Sequence, residues 1–346
     1  MLEEDKRLVV HELGVRCSNE PERYLGLPNM VGRRKKEAFQ NLKDRIKKQI
    51  DNWSTRFLSQ RGKEVFIKAI LQAVPIYSMA CFLLPKSLCV ELESILAKYW
   101  WHQSRGKKGI YWCTWQNLCF LKENGGLGFR NLSQFNVVLL AKQGWRLISY
   151  PSSLLARVLK AKYYPRSNFL KAQLETLPSL TWKSIWAAKG LLKKGLCWRI
   201  RRGNKVSIWN DCWIQGIDSI ARPYNSRNSH IELVSDLIDN TNRKWRTELV
   251  NNTFQLMVSR SILQIPLSEI EHEDFQVWGG ETTGTYSVRS AYKLLQFANL
   301  DPSDYLLQTE SMEFFRKLWT LKLPPKVTIT IWRIAWNYIP TFGNLR

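Results

Sequence analysis

The side chains that could do chemistry in this 346-residue chain are its carboxylates, histidines and cysteines, and their spacing suits no familiar reaction. Phosphoryl transfer by two metal ions needs carboxylates close enough to hold paired cations. No Tyr-x-Asp-Asp sequence occurs anywhere in the chain. His11-Glu12 lacks the second histidine of a His-Glu-x-x-His zinc site, and His272-Glu-Asp fails the same spacing. His102, Cys113 and Cys119 could be three ligands of a metal ion, but no fourth partner is evident. There is no Gly-x-Ser-x-Gly elbow. Gly125-Gly-Leu-Gly128 is not followed by Lys-Ser or Lys-Thr, so it reads as a turn that needs positive φ and not as a phosphate loop. The seven cysteines are odd in number and show no C-x-x-C pair, which argues against a disulfide framework and for buried reduced thiols. No catalytic and no metal-binding residue is assigned, and no small-molecule substrate is identified.

The chemistry the sequence does offer is positive charge. Lys and Arg number 52 against 29 Asp and Glu, a net charge of +23. Residues 1–100 carry +6 and residues 206–346 carry −1, whereas residues 101–205 hold 20 basic side chains and two acidic ones, Glu123 and Glu175, a net of +18. A folded segment with so few counter-charges repels itself and projects a positive field. A polyanion relieves that repulsion, and nucleic acid is the commonest one. The residues best placed for phosphate contacts are Arg105, Lys107, Lys108, Lys142, Arg146, Lys160, Lys162, Arg199, Arg201, Arg202 and Lys205. The 16 tryptophans could stack on unpaired bases, although at their spacing most belong to a core.

The elements that must carry these residues read as mainly α with small β-hairpins, an α+β chain of several helices in two or three subdomains. Phe39, Leu42, Ile46 and Ile50 make one apolar stripe on a basic helix over 33–52. Ser59 is a plausible cap for a helix to about Leu84, bent at Pro75, and a further helix covers 87–101. Arg105 to Gly109 reads as a basic loop and 110–115 as strand-like. Asn131 or Ser133 caps a helix to Ser149, and helices follow at 152–163 and 181–194. Residues 197–210 alternate around Gly203-Asn204 as a β-hairpin, with Trp198, Ile200, Val206 and Ile208 on one face and Arg199, Arg201 and Ser207 on the other. A second hairpin is expected from 275–278 and 284–288, then helices at 287–298, 312–320 and 326–338. By composition, 1–215 is a basic helical region, 216–232 a linker, 233–300 a small α+β unit and 311–346 a last segment.

Ten segments in order resemble a known family. They are Tyr24-Leu-Gly-Leu-Pro28; Trp53 with Leu58-Ser-Gln-Arg-Gly-Lys63; Pro75-Ile-Tyr-Ser-Met79; Tyr99-Trp-Trp101; Gly125-Gly-Leu-Gly-Phe-Arg130; and Ala141-Lys-Gln-Gly-Trp-Arg146. The series runs on through Arg157 to Tyr164, Trp198 to Trp213, Thr285 to Tyr292 and Leu318 to Val327. Together they resemble the C-terminal portion of plant LINE-type, non-LTR retrotransposon reverse transcriptases over about residues 21–346. In that family an RNA-directed DNA polymerase domain with catalytic aspartates lies upstream of the Tyr-Leu-Gly-Leu-Pro segment. The last 60 or so residues resemble the start of the family's zinc-binding region, with the zinc ligands and any RNase H domain further downstream.

The resemblance therefore implies a thumb-to-linker fragment that binds nucleic acid, RNA or DNA, without polymerase chemistry of its own. Magnesium and zinc are implied for the full-length family only, and no cofactor for this chain. A degenerate copy without function and a protein-interaction scaffold remain open as alternatives. The N-terminus has no apolar stretch of signal-peptide type, and no window reaches the length of a membrane span. A nuclear or cytoplasmic location is expected.

Overall fold

A computed structural model describes residues 12, 23–24, 27–28, 35–52, 58–102, 110–174, 176–214, 217, 231–239, 241–267, 272–298, 305–341 and 344. The described chain is mainly helical, with short antiparallel strand pairs. It forms two compact units, one of residues 1–136 with 306–346 and one of residues 137–305. One division lies at the start of the helix Tyr305–Thr320, whose first turns occupy the stretch left between the helices expected at 287–298 and 312–320, and the other lies inside the helix read from Asn131 to Ser149.

In the first unit, β1 (Arg23–Tyr24) and β2 (Leu27–Pro28) form a tight antiparallel pair. Helices α1 (Lys35–Ala38) and α2 (Gln40–Ile50) follow. Phe39, Leu42 and Ile46 are buried, as the apolar stripe requires. Of the lysines around that stripe, Lys36 and Lys43 pair with Glu91. Ser59 caps α3 (Gln60–Phe66) by accepting from Gly62 N at 3.2 Å. Before Pro75 the chain widens into a π turn over Ile67–Leu71 and resumes as α4 (Ile76–Cys81). The proline, having no N–H, cannot continue a regular helix. Pro85 precedes α5 (Lys86–Trp101).

Residues 110–114 are not a strand. Thr114 instead caps α6 (Trp115–Cys119), accepting from Asn117 N at 3.4 Å. Asn131 then caps α7 (Leu132–Ser149) through Gln134 N at 2.9 Å. Asn136 is buried and holds three backbone groups. It accepts from Leu84 N at 2.7 Å and donates to Met79 O at 2.7 Å and Phe82 O at 2.9 Å.

The second unit continues α7 and adds α8 (Leu154–Tyr163), α9 (Leu180–Ala187) and α10 (Lys189–Gly195). The helix expected over 181–194 is thus broken at Ala188. Tyr163 stacks on Trp182 at 4.9 Å, and a Cβ on Gly144 would come within 2.8 Å of Leu192. The hairpin expected at 197–210 is not formed. Its first arm, β3 (Leu196–Arg199), pairs with β6 (Phe275–Trp278), Leu196 opposite Trp278 and Arg199 opposite Phe275. Its second arm bonds elsewhere, with Val234 N donating to Val206 O, Ser235 N to Gly203 O and Ile208 N to Glu232 O.

The turn after Gly203 survives, and so does the apolar face, whereas Arg201 and Ser207 on the other face are half-buried. Ile200, Val206 and Ile208 are buried in one core with Trp213, Val234, Leu237 and Val250, while Arg199 stays exposed. Between those arms lie a small hairpin of β4 (Ile238–Asp239) and β5 (Lys244–Trp245) and helices α11 (Thr247–Thr253) and α12 (Leu256–Leu263). Residues 284–287 form no strand. Trp278 N donates to Gly284 O to close a turn, and α13 (Val288–Ala298) follows. The chain ends in α14 (Tyr305–Thr320) and α15 (Pro325–Ala335).

Candidate nucleic-acid interface

The basic residues singled out in the sequence are displayed by the second unit on several elements. Lys142 and Arg146 lie one turn apart on α7 and are both exposed, with Arg146 touching Gln143 Oε1 at 3.4 Å. Lys160 and Lys162 are exposed in the last turn of α8, where cations suit the partial negative charge of the helix end. Among the described residues no ion pair ties down Lys142, Arg146, Lys160, Lys162 or Arg199. Lys205 differs, because it pairs with Glu273 at 3.0 Å. Arg105, Lys107 and Lys108 lie outside the described residues.

Arg199 and Arg201 are brought together by β3 and the turn after it. Both line a cleft of about 690 Å³ beside Trp198, Trp213 and Trp278. Arg201 is half-buried, with its guanidinium 6.0 Å from the Phe275 ring. Its backbone is fixed by Asp274, whose Oδ1 accepts from Arg201 N at 2.7 Å and Gly203 N at 2.9 Å. Arg243 donates to the Arg201 carbonyl at 2.9 Å. The turn that presents Arg201, Arg202 and Lys205 is therefore held from two directions.

Sequence reasoning missed Lys193 and Lys194. They are exposed at the end of α10 and line a second cleft, of about 710 Å³, on which Trp198 also borders. The run Lys189 to Lys194 was the available signal. Lys189 itself is tied inward. It donates to Ala172 O at 2.5 Å and lies 4.9 Å from the Trp186 ring, and its ammonium is held below its ordinary pKa, mainly by burial and secondarily by Lys193.

Most of the described tryptophans serve the core, and several pin backbone between 5 and 22 positions away. Trp115 donates to Arg130 O, Trp186 to Ala172 O, Trp209 to Ile231 O, Trp213 to Ile208 O and Trp245 to Ile265 O. Trp198, half-buried between the two clefts, is better placed to meet a ligand.

Cys81, Cys89, Cys113, Cys119, Cys197 and Cys212 are free thiols, and burial raises Cys89 and Cys113 to about 11. Thiols so hard to ionise are poor nucleophiles and poor metal ligands. Among the described residues there is no group of three or more His, Cys, Asp or Glu that could hold a metal ion. Among them also, no helix is long and apolar enough to cross a membrane.

The chain matches no family model. It is 25% identical over 319 residues to "Putative ribonuclease H protein At1g65750" of Arabidopsis thaliana, a match that covers 89% of this chain and 50% of the relative. The chain thus spans about half the length of that relative. It is 44% identical over 143 residues to the uncharacterized mitochondrial protein AtMg00310 of the same plant, which covers 41% of this chain and 93% of the relative. At that identity, over almost all of the relative's length, the chain belongs to the family of AtMg00310.

Proposed function

We propose that this chain is a retroelement-derived, reverse-transcriptase-like polypeptide that binds RNA or DNA through the phosphate backbone. The observation that carries this reading is the display by the second unit of Lys142, Arg146, Lys160, Lys162 and Arg199 as exposed cations that no carboxylate neutralises among the described residues. The order of motifs in the sequence supports it. So does similarity to a plant protein with a ribonuclease H name, of which the chain covers half. Phosphate contacts give affinity with little sequence information. The role assigned to the chain is holding nucleic acid, and catalysis is assigned to none of its residues.

A filter-binding titration with labelled RNA and DNA over a range of salt tests this. The logarithm of affinity is expected to fall linearly and steeply with the logarithm of salt concentration. A flat dependence would overturn the reading. Primer extension by this chain alone would overturn the assignment of binding without chemistry.

One observation favours a second reading, a protein-interaction scaffold. Leu154, Leu155 and Val158 on α8 are exposed, at 75%, 41% and 54%. Nucleic-acid affinity too weak to persist at physiological salt, together with a stably co-purifying protein, would favour it.

A further inference from the structure

Three cations converge on one carboxylate in the first unit. Glu64, on α3, is only 2% exposed. Its Oε2 meets Arg61 at 2.5 Å, and its Oε1 is shared by Lys68 at 2.8 Å and Lys122 at 3.0 Å. Arg61, Glu64 and Lys68 are brought into line by α3 and the π turn that continues it. Lys122 arrives from a single 3-10 turn over Lys122–Asn124. The fold thus gathers charges that are spread along the sequence.

The charges do not balance, because one negative group cannot neutralise three positive ones. The surplus also reaches solvent, with the Arg61, Lys68 and Lys122 side chains 46%, 32% and 31% exposed. An ammonium has three donors, and an Arg guanidinium five. Each of the three spends only part of its capacity on Glu64. Aromatic rings hold two of the ammonium groups from behind, with Lys122 4.3 Å from the Trp319 ring centroid and Lys68 5.7 Å from that of Phe129.

We infer that Arg61, Lys68 and Lys122 form an anion site that takes one phosphate group of a nucleic-acid backbone, with Glu64 as the residue that positions them. This rests on the nucleic-acid reading above and adds to it a contact in the first unit. Lys68 is held below its ordinary pKa, mainly by burial, with repulsion from Lys122 and Arg61 adding to it and Glu64 opposing it. A bound phosphate would bring the negative charge that restores its proton affinity. Inorganic phosphate presents the same oxygens as a backbone phosphate, so both are used as probes.

The test compares the full chain with Arg61→Gln, Lys122→Gln and Glu64→Gln, using a short single-stranded oligonucleotide and orthophosphate. Arg61→Gln and Lys122→Gln are each expected to weaken oligonucleotide binding. Each should also flatten the salt slope by about 0.7, the value for one lost phosphate contact on a single strand. Glu64→Gln removes a repelling charge and keeps an acceptor, so it is expected to raise affinity for both probes. If the cluster only braces the fold, the slopes of Arg61→Gln and Lys122→Gln match the wild type, and the inference is overturned while the broader reading stands. If the wild type binds no oligonucleotide, the broader reading falls. The anion site then falls too unless orthophosphate raises the melting temperature of the wild type and not that of Lys122→Gln. Should Glu64→Gln fail to fold, the two partly exposed cation variants still decide the matter.

Discussion

Trp332 donates its indole N–H to the carbonyl of Gly125 at 2.7 Å, across 207 positions of chain. Trp336 donates to the same oxygen at 2.8 Å. The geometry requires glycine, since Gly125 has φ +78° and a Cβ there would come within 2.5 Å of the Trp336 ring. Trp332→Phe keeps a ring but loses one bond and some volume at a fully buried site. It is expected to cost about 2–3 kcal/mol. Gly125→Ala adds backbone strain and a steric clash, so it should cost more than Trp332→Phe. Urea denaturation followed by tryptophan fluorescence checks both, and a Gly125→Ala midpoint equal to wild type would refute the account.

Asn136 gives the second prediction. It serves Leu84 N, Met79 O and Phe82 O from a buried position. Asn136→Leu fills similar space but leaves those three backbone groups to find other partners. The expected loss is about 3–5 kcal/mol, since each unmade buried bond costs about 1–3 kcal/mol and partial relaxation recovers some. A loss below about 1 kcal/mol in the same assay would mean that water or a shifted backbone replaces the asparagine.

What the sequence reveals and what it hides follow from the range of the interactions. The cap at Ser59, the cap at Asn131 or Ser133, the bend at Pro75 and the stop at Pro85 act within a few residues, so they are legible directly. The alternation of Trp198 to Ile208 marks Ile200, Val206 and Ile208 as buried, because burial follows the two-residue period of extended backbone, but it does not show that Arg201 is half-buried as well. It does not show the pairing partner. Leu196–Arg199 pairs with Phe275–Trp278, and the arm after Gly203 bonds to 232–235. The Gly203-Asn204 turn looks the same whether its arms pair with each other or with distant chain. The exposed cations on α7 and α8 were legible as a charge-dense segment. The gathering of Lys122 with Arg61 and Lys68 was not, because it depends on packing between parts of the chain that the sequence separates.

Glu93 makes stability depend on pH. Its Oε1 accepts from Leu132 N at 2.6 Å, at the start of α7. That bond favours the ionised form, but burial outweighs it and pushes the carboxyl up to about 7 from an ordinary 4.5. The folded protein then holds a proton that the unfolded chain releases, so the folded state binds more protons between these two values. Stability from this group is therefore greatest below pH 4.5, falls as pH rises through 7, and is level above it. Glu93→Gln keeps an acceptor for Leu132 N and removes the titration. The wild-type urea midpoint is expected to drop more between pH 5 and pH 8 than that of Glu93→Gln. Identical pH dependence in the two proteins would rule Glu93 out as the source.

Asp274 links the fold of the second unit to its proposed binding surface. The carboxylate accepts from Arg201 N and Gly203 N and so sets the turn that carries Arg201, Arg202 and Lys205. Asp274→Ala leaves both N–H groups without that acceptor and is expected to cost about 2–4 kcal/mol. Asp274→Asn retains an acceptor oxygen and should cost less. Oligonucleotide binding should follow the same order. In Asp274→Ala the cations remain but are no longer held in place, so affinity should fall several-fold from the added ordering cost while the salt slope stays close to wild type. Asp274→Asn should restore most of the affinity. Charge alone predicts the opposite, since removing a carboxylate from a basic surface should strengthen binding to a polyanion. Tighter binding by Asp274→Ala would therefore show that net charge, and not the fixed geometry of the turn, governs the interface.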